Sequence, residues 1–277
     1  MMRLMRADMY RIFRGKAIYI TFAIMLILIV LTVFVFRSAI QTVVIAPIEE
    51  LDISLETPME VIEHIMPSEE IMSGSVAARL ALNSMDSIAY YFFLPIIVAV
   101  AMAAFSSGAI KNELAIGISR TQLYLSKWIL SSALCFVFML LYLLLSVLFA
   151  TTIDGIGYWD SGYLANTLKS FGMQTFFMLA INSVGIFLCF ATKKTAAVIG
   201  AFIAIVLVPL MIVSLLVLAF PSAMEYTNYD LVYQLIIFAQ TASLSGTAFA
   251  RGVAIGLAYL LIPTIGGIML FRKAEIK

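Results

Sequence analysis

The run Ala17-Ile-Tyr-Ile-Thr-Phe-Ala-Ile-Met-Leu-Ile-Leu-Ile-Val-Leu-Thr-Val-Phe-Val-Phe36 holds 20 residues without a formal charge. As an α-helix it rises about 1.5 Å per residue and reaches ~30 Å, the thickness of a bilayer's hydrocarbon core. Ser170–Thr192 and Gly252–Phe271 repeat the pattern further along. Lys and Arg beside such runs are held on the cytoplasmic side during insertion. With the N-terminus inside, all 17 bases except Arg37, Arg79, Lys169 and Arg251 fall on the inner side. All 16 acids except Asp8, Glu113 and Glu275 fall on the outer side. The net charge of +1 therefore hides two opposite faces and gives no reason to expect nucleic acid as a partner. Composition agrees: 63% hydrophobic and 12% charged, where soluble domains carry roughly 25% charged residues.

The expected fold is an all-α polytopic membrane protein, one transmembrane domain over 1–277 with six spans and both termini in the cytoplasm. Residues 1–16 intersperse Leu4, Met5, Met9, Ile12 and Phe13 with five bases at helical spacing, an amphipathic interfacial helix. The first span is 17–36. A signal peptide also reads basic-then-apolar, but its core is shorter and ends at a small-residue cleavage site, so this span is expected to be retained. Residues 37–86 form a large acidic outer loop cut by Pro47, Pro58 and Pro67, with 59–66 and 76–82 as short amphipathic helices. Span two covers 87–110, broken early by Pro95, and 111–127 is a cytoplasmic loop. Spans three, four and five cover 128–153, 170–192 and 195–220, with Gly155, Gly157 and Gly162 as turn residues in the outer connection 154–169. Residues 222–250 read as an outer re-entrant or interfacial hairpin leading into span six, 252–271. A seventh span at 231–250 would export Arg272, Lys273 and Lys277 against the charge rule.

Chemistry is mostly absent from these residues. No G-x-x-x-x-G-K-[ST] loop is present to cradle nucleotide phosphates, and no H-E-x-x-H metal motif occurs. The single histidine, His64, sits among Glu60, Glu63 and Glu69 as a solvated loop residue, so neither a catalytic nor a metal site is expected. Cys135 and Cys189 lie in apolar stretches and read as small packing residues. The run Asp154-Gly-Ile-Gly-Tyr-Trp-Asp160 has a faint likeness to intramembrane aspartyl proteases, whose second Tyr-Asp pair belongs deep in a span. Here Tyr229-Asp230 lies at a span edge.

The most specific local feature is the loop Lys111-Asn-Glu113-Leu-Ala-Ile-Gly117-Ile-Ser119-Arg120-Thr-Gln122-Leu123-Tyr124-Leu-Ser126-Lys127. Ser119 and Gln122 have the spacing of a capping box, which predicts a short helix from Arg120, with Gly117 supplying the turn before it. Such a helix would present Arg120, Leu123, Tyr124 and Lys127 to a partner. In the spans, Gln174, Asn182 and Ser183 are polar residues that either join helices or line a path, and Gly252-x-x-x-Gly256 permits close helix approach, within one subunit or between two.

Glu113-x-x-x-Gly117-x-Ser119-Arg120 followed by Lys127 resembles the loop of ABC-2-type transporter permeases, the six-span halves of ATP-binding-cassette exporters. The likeness in layout extends to the basic amphipathic N-terminus, the large first outer loop, the hairpin before span six and the ending Phe271-Arg-Lys-Ala-Glu-Ile-Lys277. It implies that the loop is a coupling helix on an ATPase subunit, with Glu113, Gly117, Ser119, Arg120, Gln122, Leu123, Tyr124 and Lys127 at the contact. It also implies a separate ATPase partner that would bind ATP and Mg, a second six-span permease subunit as homo- or heterodimer, and no enzyme activity in this chain alone. The implied cargo is hydrophobic or amphipathic, an antimicrobial or secreted peptide first and a drug next. An ATPase-independent channel or secondary transporter, or a sensor or anchor subunit without transport, remains the alternative. No ionisable residue falls mid-span in this reading, which speaks against ion coupling.

Overall fold

A computed structural model describes residues 2–45, 73–83, 85–106, 108–220, 226, 228–240 and 246–273. These form α1 (Met2–Arg14), α2 (Lys16–Ile45), α3 (Gly74–Asn83), α4 (Met85–Ser106), α5 (Ala109–Ala115), α6 (Arg120–Asp154), α7 (Ser161–Thr192), α8 (Thr195–Ala219), α9 (Leu231–Gln240) and α10 (Gly246–Lys273). No strand occurs among the described residues. Helices α2, α6, α7 and α10 are each long and apolar enough to cross a membrane. A fifth candidate is α4, whose chain bends by 62° into α5. Over its described residues the protein is thus all-helical and carries four to five candidate spans. Residues from Glu49 through Glu70, His64 and the segment 59–66 among them, lie outside the described residues, as does the end of the chain from Ala274 to Lys277.

Several boundaries differ from expectation. Pro95 does not break span two, because α4 runs through it. The break falls instead near Gly108, which has φ +67° and lets α5 depart at its steep angle. Helix α6 is one rod of 35 residues from Arg120 to Asp154, so the loop helix and span three are a single element. Helix α7 starts at Ser161, nine residues before the charge-free run, because Asp160 caps it by accepting from the Tyr163 amide. Helix α10 likewise starts before 252, at Gly246. The expected short helix at 76–82 is present as α3.

The core lies along α7, which is buried against α4, α6, α9 and α10 through Phe177, Ile181, Cys189 and Phe190. Much of α2, α8 and α10 faces outward with apolar side chains such as Ile27, Met211, Leu215 and Ile262. That is the reverse of a soluble fold and suits helices bathed in lipid.

One end of the bundle holds α3 and the 155–160 connection. Gly74 and Ser75 amides donate to the carbonyls of Gly155 and Ile156, and Tyr163 Oη donates to Ser75 O at 2.5 Å. Arg37 of α2 pairs with Asp154 of α6 at 3.0 Å. The opposite end holds α1, α5, the start of α6 and the end of α10.

Candidate functional site

At that second end the chain makes an exposed turn over Ile116–Ser119. The amides of Gly117 and Ile118 fold back to Leu114 O and Glu113 O, which closes α5. Gly117 sits at φ +92° with open space where a Cβ would go, so its role is conformational. Ser119 then caps α6: Gln122 N donates to Ser119 Oγ at 3.2 Å, and Ser119 N donates to Gln122 Oε1 at 3.4 Å. Both halves of the capping box are present. The turn leaves Ile116 81% exposed, an apolar tip flanked by exposed Lys111, Asn112 and Ala115.

Behind the turn, the eight loop residues separate into two groups. Gly117, Ser119 and Gln122 are exposed and Arg120 is half-buried, whereas Glu113, Leu123, Tyr124 and Lys127 are buried. The expectation that Leu123, Tyr124 and Lys127 face a partner is therefore corrected. The first turns of α6 are not a free stub; they are wedged between α1, α5 and α10. Arg120 reaches across to α10, donating from Nη1 to Phe271 O and Arg272 O at 3.1 Å each. Those carbonyls belong to a helix C-terminus, where a cation is favoured. Tyr124 lies against the backbone of Gly267 and in a cluster with Phe190 and Phe271.

Lys127 is wholly buried, and its Nζ lies 2.5 Å from Asp8 Oδ2 and 3.9 Å from Glu113 Oε1. Arg11 closes the set, 3.4 Å from Asp8 Oδ1 and 3.8 Å from Glu113 Oε1. Two cations and two anions thus join α1, α5 and α6 at one point. Burial pushes the Glu113 carboxyl above its ordinary pKa; Lys127 and Arg11 pull against that shift. Among the described residues Glu113 Oε2 has no hydrogen-bond partner.

Asp8, Arg11 and Ile116 were missing from the expected site. A signal for Asp8 was present, since Asp8 and Glu113 are two of the three acids on the wrong side of the charge asymmetry. Both turn out to be buried against bases. Of the four bases that depart from the charge asymmetry, Arg37 pairs with Asp154 and Arg251 stacks 5.8 Å over the Tyr229 ring, while Arg79 and Lys169 are exposed.

Among the described residues the polar span side chains join helices. Asn182 of α7 accepts from Ser131 Oγ at 2.6 Å and donates to Ser132 Oγ at 2.7 Å and Trp128 O at 3.3 Å. Ser183 Oγ accepts from Trp128 Nε1 at 2.8 Å. Gln174 donates to Leu235 O at 2.8 Å, while its buried Oε1 has no partner among the described residues. Of the two readings of Gly252 and Gly256, packing within the subunit is the one observed: a Cβ there would lie 2.3 Å from the Phe238 ring and 2.2 Å from the Phe176 ring. Interhelical hydrogen bonds in membranes contribute about 0.6–1.7 kcal/mol each. Asn182→Leu is accordingly expected to lower the unfolding temperature in detergent, whereas Thr175→Val, which removes only a bond within α7, should change it little. Equal melting of the two variants would show that the Asn182 network does not hold α6 to α7.

Among the described residues no group of three or more His, Cys, Asp and Glu side chains is placed to hold a metal ion. Compared with known proteins, the chain matches no protein-family model and no curated protein.

Proposed function

We propose that this chain is the membrane permease subunit of an ABC-2-type exporter, driven by a separate ATPase subunit that binds ATP and Mg. The observation that supports this most is the exposed Ile116–Ser119 turn mounted on two rigid attachments. One is the buried charge cluster that ties α5 and α6 to α1. The other is the Arg120 clamp on the C-terminus of α10. A push on such a turn reaches the first and last helices of the bundle together, which is what a coupling element between a moving ATPase and a set of spans must do.

In this reading six helices cross. The sixth is α8, 25 residues without a formal charge. A seventh span at 231–250 would carry Arg272 and Lys273 to the outer side against the charge rule, which favours the outer hairpin. The basic end then faces the cytoplasm, with both termini there, in the cell membrane. Two such subunits pair, and the cargo is a hydrophobic or amphipathic molecule moved outward, a peptide before a drug.

Purification of the tagged chain in mild detergent from its native cells, with assay of ATP hydrolysis in the co-purifying proteins, tests the proposal. A roughly stoichiometric ATPase supports it; an intact protein that brings none moves a channel or secondary transporter ahead. For the contact itself Ile116→Asp is a cleaner probe than a change at Arg120, which also holds α10. It is expected to reduce co-purified ATPase at least several-fold while the thermal stability of the permease stays as it was. Unchanged recovery of ATPase removes the turn from the interface.

A further inference from the structure

We infer that α1 is a reader of anionic phospholipid headgroups in the leaflet where α2 begins. This goes beyond transport and holds whatever the spans carry, because it needs only that α2 crosses a bilayer.

Helix α1 divides into three stripes around its axis. Leu4, Asp8 and Ile12, at successive turns, are buried against the bundle. Met9 and Phe13, also one turn apart, stay 42% and 46% exposed although both are apolar. Arg6, Tyr10 and Arg14 form the third stripe, all exposed, with Arg14 Nη1 donating to Tyr10 Oη at 3.4 Å. Exposed Lys16 follows at the start of α2. The helix is joined to that span through Gly15 alone, so the chain itself fixes its level at the edge of the membrane. Its buried stripe meets Lys127, one residue before the apolar body of α6. At that level an exposed apolar stripe beside a basic one matches the boundary between acyl chains and headgroups.

The charge arrangement selects anionic lipids over zwitterionic ones. Asp8 is the only acid in α1, and it is turned inward onto Lys127 and Arg11. The outward surface of the helix is therefore left with bases and no opposing carboxylate of its own. A Lys or Arg near an anionic surface strengthens attachment about five-fold.

The test uses the full chain in phosphatidylcholine vesicles with spin-labelled phosphatidylglycerol or phosphatidylcholine as the probe lipid. The expected result is a selectivity for phosphatidylglycerol of about five-fold or more. It should fall to near unity in the variant R6Q/R14Q/K16Q and survive in R6K/R14K/K16R. These side chains point away from the core, so helix content and melting temperature of the triple variant should match the parent. Added inorganic phosphate should leave the selectivity intact, since Met9 and Phe13 require a bilayer; competition by phosphate would overturn the lipid assignment. The inference also falls if the triple variant keeps its selectivity, or if K193Q/K194Q, at another exposed basic corner, loses as much. Loss of a soluble protein partner with lipid selectivity unchanged would assign the basic stripe to that protein instead.

Discussion

Replacing Lys127 with methionine is expected to release α1 from the bundle. Lys127 is one of the largest fully buried side chains in the protein, and it is the closest partner of Asp8. Methionine fills most of the same space but leaves two carboxylates facing Arg11, whose side chain is one-third exposed. Removing one partner from a buried charge set costs about 3–5 kcal/mol, because the remaining charge stays desolvated. Helix α1 has 13 residues, near the length at which an isolated helix is only marginally stable in water. Undocking is therefore the easier response than holding an unpaired acid inside. Amide hydrogen exchange over Met2–Arg14 reads this directly: protection should drop by orders of magnitude in Lys127→Met and return in large part when Asp8→Asn is added. If protection is unchanged in the single variant, the cluster does not hold α1.

The same variant has a pH dependence of known sign. Burial already raises the Glu113 carboxyl, and Lys127 is the largest influence opposing the rise. Without Lys127 the docked Glu113 binds its proton more tightly than the released one. Docking of α1 in the variant should thus be strongest at low pH and weaken as pH rises through the elevated value.

The second large effect belongs to Gly267. A Cβ there would meet Tyr124 at 2.4 Å from the hydroxyl oxygen and 2.7 Å from two ring carbons. Tyr124 has no room to yield. It is fully buried, its ring lies 4.8 Å from that of Phe190, and Phe190 lies 4.7 Å from Phe271. Its hydroxyl also donates to Pro263 O at 3.4 Å. Forcing one carbon into such a contact costs about 1–3 kcal/mol, and valine more. Gly256→Ala should be milder, since the half-buried Phe176 ring it meets can swing. Gly200 and Gly172 have open space at the Cβ position, so alanine there should be neutral or slightly stabilising. Thermal unfolding in detergent orders the series as Gly267 worst, then Gly256, then the two open sites. Gly267→Ala melting with Gly200→Ala would refute the close contact.

What the chain shows in its letters, and what it conceals, divides along physical lines. Charge-free runs identify helices well, because a long apolar stretch has few alternatives in lipid. The Ser119–Gln122 cap is also legible, since a capping box is a local interaction with fixed spacing. Helix lengths are not: the short helix expected from Arg120 gives no sign that it continues into the span, because Lys127 is a charge whose partners lie far away in sequence. No local pattern places Lys127 beside Asp8, 119 positions away. Hydropathy likewise cannot tell a lipid-facing leucine from a core one, so the orientation of α10 is hidden until Gly252, Gly256 and Gly267 are seen against aromatic rings.

That last feature bears on how this chain can drift over generations. Helix α10 turns glycines and Phe271 to the protein, while Leu257, Leu261, Ile262, Ile265 and Met269 look outward. The bulky residues, usually the guarded ones, are interchangeable here with any side chain that dissolves in lipid. The smallest residues are the guarded ones, since a single added methyl group collides. Homologues should accordingly vary freely at the leucines and isoleucines of this helix and hold their glycines, the inverse of the substitution record a water-soluble helix leaves.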